Sequence, residues 1–302
     1  MMAPSPEPRP LGENGPRFAP LAWHVRPSAA ARPDALAEAV RAARAAGFGM
    51  LLLSDIPFRA SGLHFGEATE RLGAVFRAEP NLRSGWLLAL RGGVGPGSVP
   101  DSRADSLEAG LKAALARLGA PRADLFLLEA PDRLTHPRET AAALARLVAR
   151  GLAQAVGVAN HPPAAVRALA AHLDLPLAAI ELAFSAFDPD AIADGSLDLA
   201  MELGATVIAA APLAEGQIGD RPGLAASVTA RATIRALDAV AGQQGVGRAA
   251  VAAAFVASHA ARPVPLFGTQ EPAELRAAPD LFRVRLDRAD WYRILEAGPA
   301  GR

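Results

Sequence analysis

The feature that most narrows the fold of this chain is an alternation of short, continuous apolar runs with longer Ala-, Leu- and Arg-rich segments of helical spacing. The runs are LAWHV at 21–25, MLLLS at 50–54, WLLAL at 86–90, DLFLL at 124–128, AQAVGV at 153–158, AAIEL at 178–182, TVIAA at 206–210 and VPLF at 264–267. Runs of this length without polar alternation suit strands buried on both faces, as parallel strands are when helical crossovers join them. The spacing predicts helices at 35–46, 68–76, 105–118, 138–150, 164–173, 197–203 and 248–259. Eight strand and helix units favour closure over an open sheet, and no G-x-G-x-x-G follows the early strands to argue for a doubly wound dinucleotide fold. The expectation is an α/β protein, a single-domain (β/α)8 TIM barrel over residues 18–302, with two extra helices at 226–241 and 286–295.

Residues 1–17, rich in Pro and Gly with little apolar content, read as a flexible tail. Lys plus Arg balance Asp plus Glu at 31 each, so no excess charge recruits nucleic acid or a membrane surface. No apolar stretch approaches the ~20 residues that a spanning helix needs, and a cytoplasmic location is expected. The absence of Cys removes thiolate chemistry, and six scattered His residues give no metal-binding spacing, so no metal is expected.

In such a barrel the chemistry sits on loops at the C-terminal strand ends. Arg91 and Glu129 end neighbouring strands there and should meet as an ion pair, read more readily as a structural pair than as an acid/base pair. Glu181 lies in the sixth strand, facing the interior or the mouth, and Asn160 with His161 follows the fifth. These three are candidate ligand-binding residues. Asp55, Arg59, His64 and Glu67 follow the second strand, as a replacement site or as solvated loop charges. The chain holds one Tyr, Tyr292, and one Lys, Lys112, both on expected outer helices, so a mechanism needing either has a single candidate.

Several ordered landmarks resemble the aldo-keto reductase family, closest to its bacterial oxidoreductase members, from about Trp23 to Trp291. They are E-A-T-E-R-L-G at 67–73, L-A-R-L-G-A-P-R-A-D-L at 115–125, Pro131 with Asp132, G-L-A-Q-A-V-G-V-A-N at 151–160, A-P-L-A-E-G at 211–216, and P-L-F-G-T at 265–269 with Arg276 beyond. The resemblance implies carbonyl reduction by a nicotinamide cofactor, with a Tyr acid, a Lys and Asp pair that tunes it, and a His that orients the carbonyl. Those four positions fall here on Pro57, Arg91, Leu52 and Glu129. The carboxamide pair becomes Ala159 and Asn160, a Gln becomes Ala179, the nicotinamide-stacking aromatic becomes Ala210, and Glu271 stands where a basic residue would meet a 2′-phosphate. Gly268, Thr269 and Arg276 remain as residual cofactor-binding positions.

Two classes of function follow. The leading expectation is a pseudoenzyme that binds a small molecule at the barrel mouth, or a protein partner, with no cofactor beyond the NADP(H) that the resemblance implies. The alternative is an enzyme, either an atypical NAD(P)H-dependent oxidoreductase of small carbonyl compounds or a non-redox acid/base enzyme using Glu129 and Arg91.

Overall fold

The computed structural model describes residues 4–32, 34–58, 61–220 and 228–298. A hairpin of β1 (Arg9–Pro10) and β2 (Arg17–Phe18) comes first. Eight parallel strands follow: β3 (Ala22–His24), β4 (Met50–Ser54), β5 (Leu87–Gly92), β6 (Ala123–Leu128), β7 (Ala153–Ala159), β8 (Leu177–Ala183), β9 (Thr206–Ala210) and β10 (Val264–Phe267). Each pairs with the next, and β10 pairs with both β9 and β3, which closes the barrel. Around it lie α1 (Ala35–Ala45), α2 (Glu67–Ala78), α3 (Ala104–Leu118), α4 (Pro137–Ala149), α5 (Pro163–Ala170), α6 (Asp190–Ala193), α7 (Ser196–Glu202), α8 (Val228–Gln244), α9 (Arg248–Ala257), α10 (Pro272–Ala277) and α11 (Arg288–Glu296).

The strands sort their side chains by alternation, as a pleat requires. One set packs outward against the helices with Trp23, Leu51, Leu53, Phe126, Val156 and Ile180. The other fills the interior with Met50, Leu52, Leu87, Ala89, Leu125, Leu127, Ala179, Ile208 and Leu266. Burying each large apolar side chain stabilises the barrel by roughly 1.5–3 kcal/mol, so this column is a packed core and not a channel. At one position the packing admits no side chain: a Cβ on Gly157 would stand 2.3 Å from the Ala179 carbonyl oxygen, where β7 and β8 shift register. The Trp23 indole donates to the Thr269 carbonyl at 2.8 Å and ties β3 to the loop leaving β10.

The hairpin corrects the tail expected over residues 1–17, of which residues 1–3 lie outside the described residues. Leu11 and Phe18 are buried at 1% and 4% exposure and join the interior column. The Gly12 amide donates to the Thr206 hydroxyl at 2.8 Å, at the start of β9, so the hairpin covers the N-terminal end of the barrel. Two apolar residues amid Pro and Gly are enough to anchor the segment, because the open barrel end offers an apolar seat. Among the described residues no helix is long and apolar enough to cross a membrane.

Candidate active site

At the other end the interior column stops and charge begins. The pairing of β4 with β5 sets Leu52 opposite Ala89 and Ser54 opposite Arg91. Arg91 reaches two carboxylates. Its Nε donates to Glu181 Oε2 at 2.8 Å, its Nη2 donates to Glu181 Oε1, and its Nη1 donates to Glu129 Oε1 at 3.0 Å. The Ser54 hydroxyl donates to the remaining Glu129 oxygen at 2.8 Å and accepts from the Ile56 amide at 3.1 Å. The Arg91, Glu129 and Glu181 side chains are 9%, 12% and 0% exposed, so Glu129 is the outer of the two acids. Burial lowers the pKa of Arg91, and Glu129 beside it works in the opposite direction.

Above this layer opens a cavity of about 210 Å³. Its lining includes the polar or charged residues His24, Arg26, Ser54, Arg91 and Glu129 and the apolar residues Ile56, Pro57, Phe58 and Leu63. His24 Nδ1 accepts from Arg26 Nε at 3.0 Å. Burial first, then Arg91 and Arg26, push the His24 pKa well below its ordinary value, so the ring is neutral at neutral pH. With Nδ1 as acceptor, the ring proton resides on Nε2. The Arg26 guanidinium lies 4.7 Å from the centre of the Phe58 ring, a cation–π contact that holds both.

The residues singled out from sequence separate into two groups. Arg91, Glu129 and Glu181 come together, and Pro57 lines the cavity. Leu52 is fully buried below Ser54, so the side chain level with Arg91 is the hydroxyl. Asn160, in left-handed backbone at φ 57°, donates from Nδ2 to the Glu129 carbonyl at 3.1 Å and from its amide to the Glu181 carbonyl at 3.0 Å. It ties together the strand ends that carry the two acids. His161 stands apart: its Nδ1 meets the Ala159 carbonyl at 2.7 Å, and burial lowers its pKa. Asp55 bonds Thr69 and Arg117, and Glu67 bonds Arg71 and the His64 amide, so these loop charges secure local structure. Arg59 lies outside the described residues. Tyr292 sits on α11 beside Trp291, and Lys112 on α3 pairs with Glu108 at 2.6 Å, so neither reaches the mouth. His24, Arg26 and Ser54 were not singled out from sequence. Their signal is position alone, at or just beyond the C-terminal ends of two barrel strands.

A barrel whose polar cavity opens at the C-terminal strand ends defines a (β/α)8 enzyme scaffold, and the Aldo/keto reductase family model matches residues 22–298. The chain belongs to that family. It is 37% identical over 293 residues to 6-dehydroglucose reductase of Novosphingobium aromaticivorans, covering 96% of this chain and 94% of that protein. It is 29% identical to 6-dehydroglucose reductase of Agrobacterium fabrum, covering 90% of each. A thermostable aldo-keto reductase shares the fold at TM-score 0.80 and 20% identity, over 97% of this chain and all of that one. The glycerol dehydrogenase of Gluconobacter oxydans shares it at TM-score 0.80 and 19% identity, over 96% of this chain and 94% of its own. Relatives that span nearly the whole chain and are named reductases overturn the expectation of a non-reducing pseudoenzyme.

Family membership implies a nicotinamide cosubstrate, against the expectation of no cofactor. Two features at the end of β10 fit such a ligand. Gln270 Oε1 is a buried acceptor with no partner, while its Nε2 donates to the His24, Gly268 and Thr269 carbonyls. At Gly268 a Cβ would come within 3.3 Å of the Arg26 guanidinium, so the bare backbone leaves that cation approachable. An amide or ribose hydroxyl satisfies the first feature, and an anionic group suits the second. Of the other cofactor positions, Thr269 has its hydroxyl bonded to Glu274 Oε2 at 2.5 Å. Arg276 is exposed in the last turn of α10.

Proposed function

We propose that this protein is a nicotinamide-dependent reductase that converts the aldehyde of a sugar, of the 6-dehydroglucose type, to the primary alcohol. The observation that carries the reading is one cavity lined both by His24, Arg26, Ser54, Arg91 and Glu129 and by Ile56, Pro57, Phe58 and Leu63. Hydroxyls bond to such polar groups, and the C–H face of a sugar packs on apolar ones. The 37% identity to a protein named 6-dehydroglucose reductase supports the same substrate class.

The cofactor, when bound, supplies a hydride to the carbonyl carbon. Gln270 and the bare backbone at Gly268 would hold it. Glu271, at the start of α10, favours the dinucleotide without a 2′-phosphate. The chain's own groups serve the carbonyl oxygen. Neutral His24 donates a hydrogen bond from Nε2, and Arg26 stabilises the negative charge that builds on the oxygen. The alkoxide takes its proton from a water at the mouth, whose hydroxide passes to solvent, and Glu129, an acceptor held by Arg91 and Ser54, orients that water. Arg91, Ser54 and Asn160 position Glu129.

Purified protein supplied with 6-dehydroglucose and either NADH or NADPH is expected to oxidise the nicotinamide while forming glucose. Glu129→Gln and Arg26→Met should each lower kcat/KM by about 10²-fold. Absence of turnover with both nicotinamides, or turnover indifferent to both substitutions, overturns the reading.

A further inference from the structure

The opposite end of the barrel carries a second group of charges that the proposed reduction does not use. A small cavity of about 40 Å³ lies between the N-terminal hairpin and the turn that joins α9 to β10, lined by Ser5, Arg9, Pro20, Arg262, Pro263 and Phe282 among others. No carboxylate lines it. Among the described residues neither arginine makes an ion pair with an acid.

Two observations point to a missing counter-charge. Arg9 Nε and Nη2 are buried without a hydrogen-bond partner. A guanidinium has five N–H donors, and leaving two of its nitrogens dry and unpaired is costly. Arg262 adds a second positive charge to the same cavity, and burial together with this neighbour lowers the Arg9 pKa to about 10. Arg262 also occupies left-handed backbone at φ 49°, with its amide bonded to the His259 carbonyl at 2.8 Å. A glycine takes this turn without strain. A single bound anion answers both.

We infer that Arg9 and Arg262 form a binding site for a compact oxyanion of the phosphate type at the N-terminal end of the barrel. The fork of a guanidinium matches the edge of a tetrahedral oxyanion, and two forks serve two edges. The Ser5 hydroxyl lines the same space and offers a further donor. At about 40 Å³ the cavity has the scale of one small ion. Because the hairpin contributes Arg9 and the turn before β10 contributes Arg262, the anion joins the N-terminal segment to the barrel wall. Its binding therefore stabilises the folded chain by mass action.

The test is calorimetric titration of the full chain with inorganic phosphate, together with thermal unfolding in phosphate against sodium chloride at matched ionic strength. Phosphate is expected to bind and to raise Tm with concentration. Arg9→Met and Arg262→Gly should each weaken binding about tenfold or more, since each removes charged donors. Arg262→Gly suits the turn and keeps the test valid if Arg9→Met folds poorly. Arg26→Met, at the far mouth, should leave the phosphate response intact. The inference is overturned if phosphate has no effect beyond that of chloride, if Arg262→Gly binds as well as the parent, or if only Arg26→Met abolishes the response.

Discussion

Replacing Glu181 by Ala removes the one acid of the mouth cluster that has no contact with solvent, and its cost can be worked from the geometry. At 2.8 Å between Arg91 Nε and Glu181 Oε2, and an effective dielectric constant of about 20, the gross attraction is about 6 kcal/mol. Part of this is offset in the native protein by the desolvation of both ions. The substitution leaves the Arg91 charge in place, 9% exposed, with Glu129 as its remaining partner at 3.0 Å. Removal of one partner from a buried pair costs about 3–5 kcal/mol, and the retained Glu129 contact puts Glu181→Ala toward the lower end of that range. Glu129→Ala should cost less, about 1–3 kcal/mol, because Glu129 is 12% exposed and its loss leaves Arg91 held at two nitrogens by Glu181. Denaturant unfolding of the parent and both variants measures the two values. A cost for Glu181→Ala below about 1 kcal/mol, or a larger cost for Glu129→Ala, refutes the assignment of Glu181 as the buried anchor of Arg91.

Acid should destabilise the protein through His24, whose folded-state pKa lies well below the 6.5 of an exposed ring. The unfolded chain then binds the proton more readily, so the stability contribution is complete above pH 6.5 and is lost as the pH falls below it; His24→Gln should flatten the dependence of unfolding free energy on pH in that window. Gly157→Ala should reduce soluble yield or lower Tm sharply, because its Cβ would meet a backbone oxygen at 2.3 Å that cannot move without breaking the β7 and β8 pairing; an unchanged Tm would show that the strands can separate there.

The barrel strands are legible in the sequence because each is a short apolar run bounded by polar or glycine residues, and 50–54, 206–210 and 264–267 coincide with β4, β9 and β10. The meeting of Arg91 and Glu129 is legible for the same reason, since neighbouring parallel strands in one register bring their ends together. Ser54, His24 and Arg26 are not. Ser54 reads as the polar end of an apolar run, and only the pairing of β4 with β5 shows that it, and not Leu52, faces Arg91. His24 ends the shortest barrel strand and Arg26 follows it, and their joint orientation depends on a side-chain contact between them. The hairpin is illegible because its seat is the open end of a barrel built from residues far along the chain, so Leu11 has no local partner that would mark it as core.

The aliphatic column beneath Arg91 also acts as a floor for the electric field. Leu52, Ala89, Leu127, Ala179 and Ile208 are fully buried, and Leu11 and Phe18 shut the far end. Field lines from the guanidinium and its two carboxylates cannot spread into this poorly polarisable material and are directed out through the mouth. A charge placed at the cavity therefore feels Arg26, Arg91 and Glu129 more strongly than the same groups would act from a flat, wet surface. Polar substitutions within the column, at Leu127 or Ile208 for instance, would admit water under the cluster and weaken that field without touching any residue that lines the cavity.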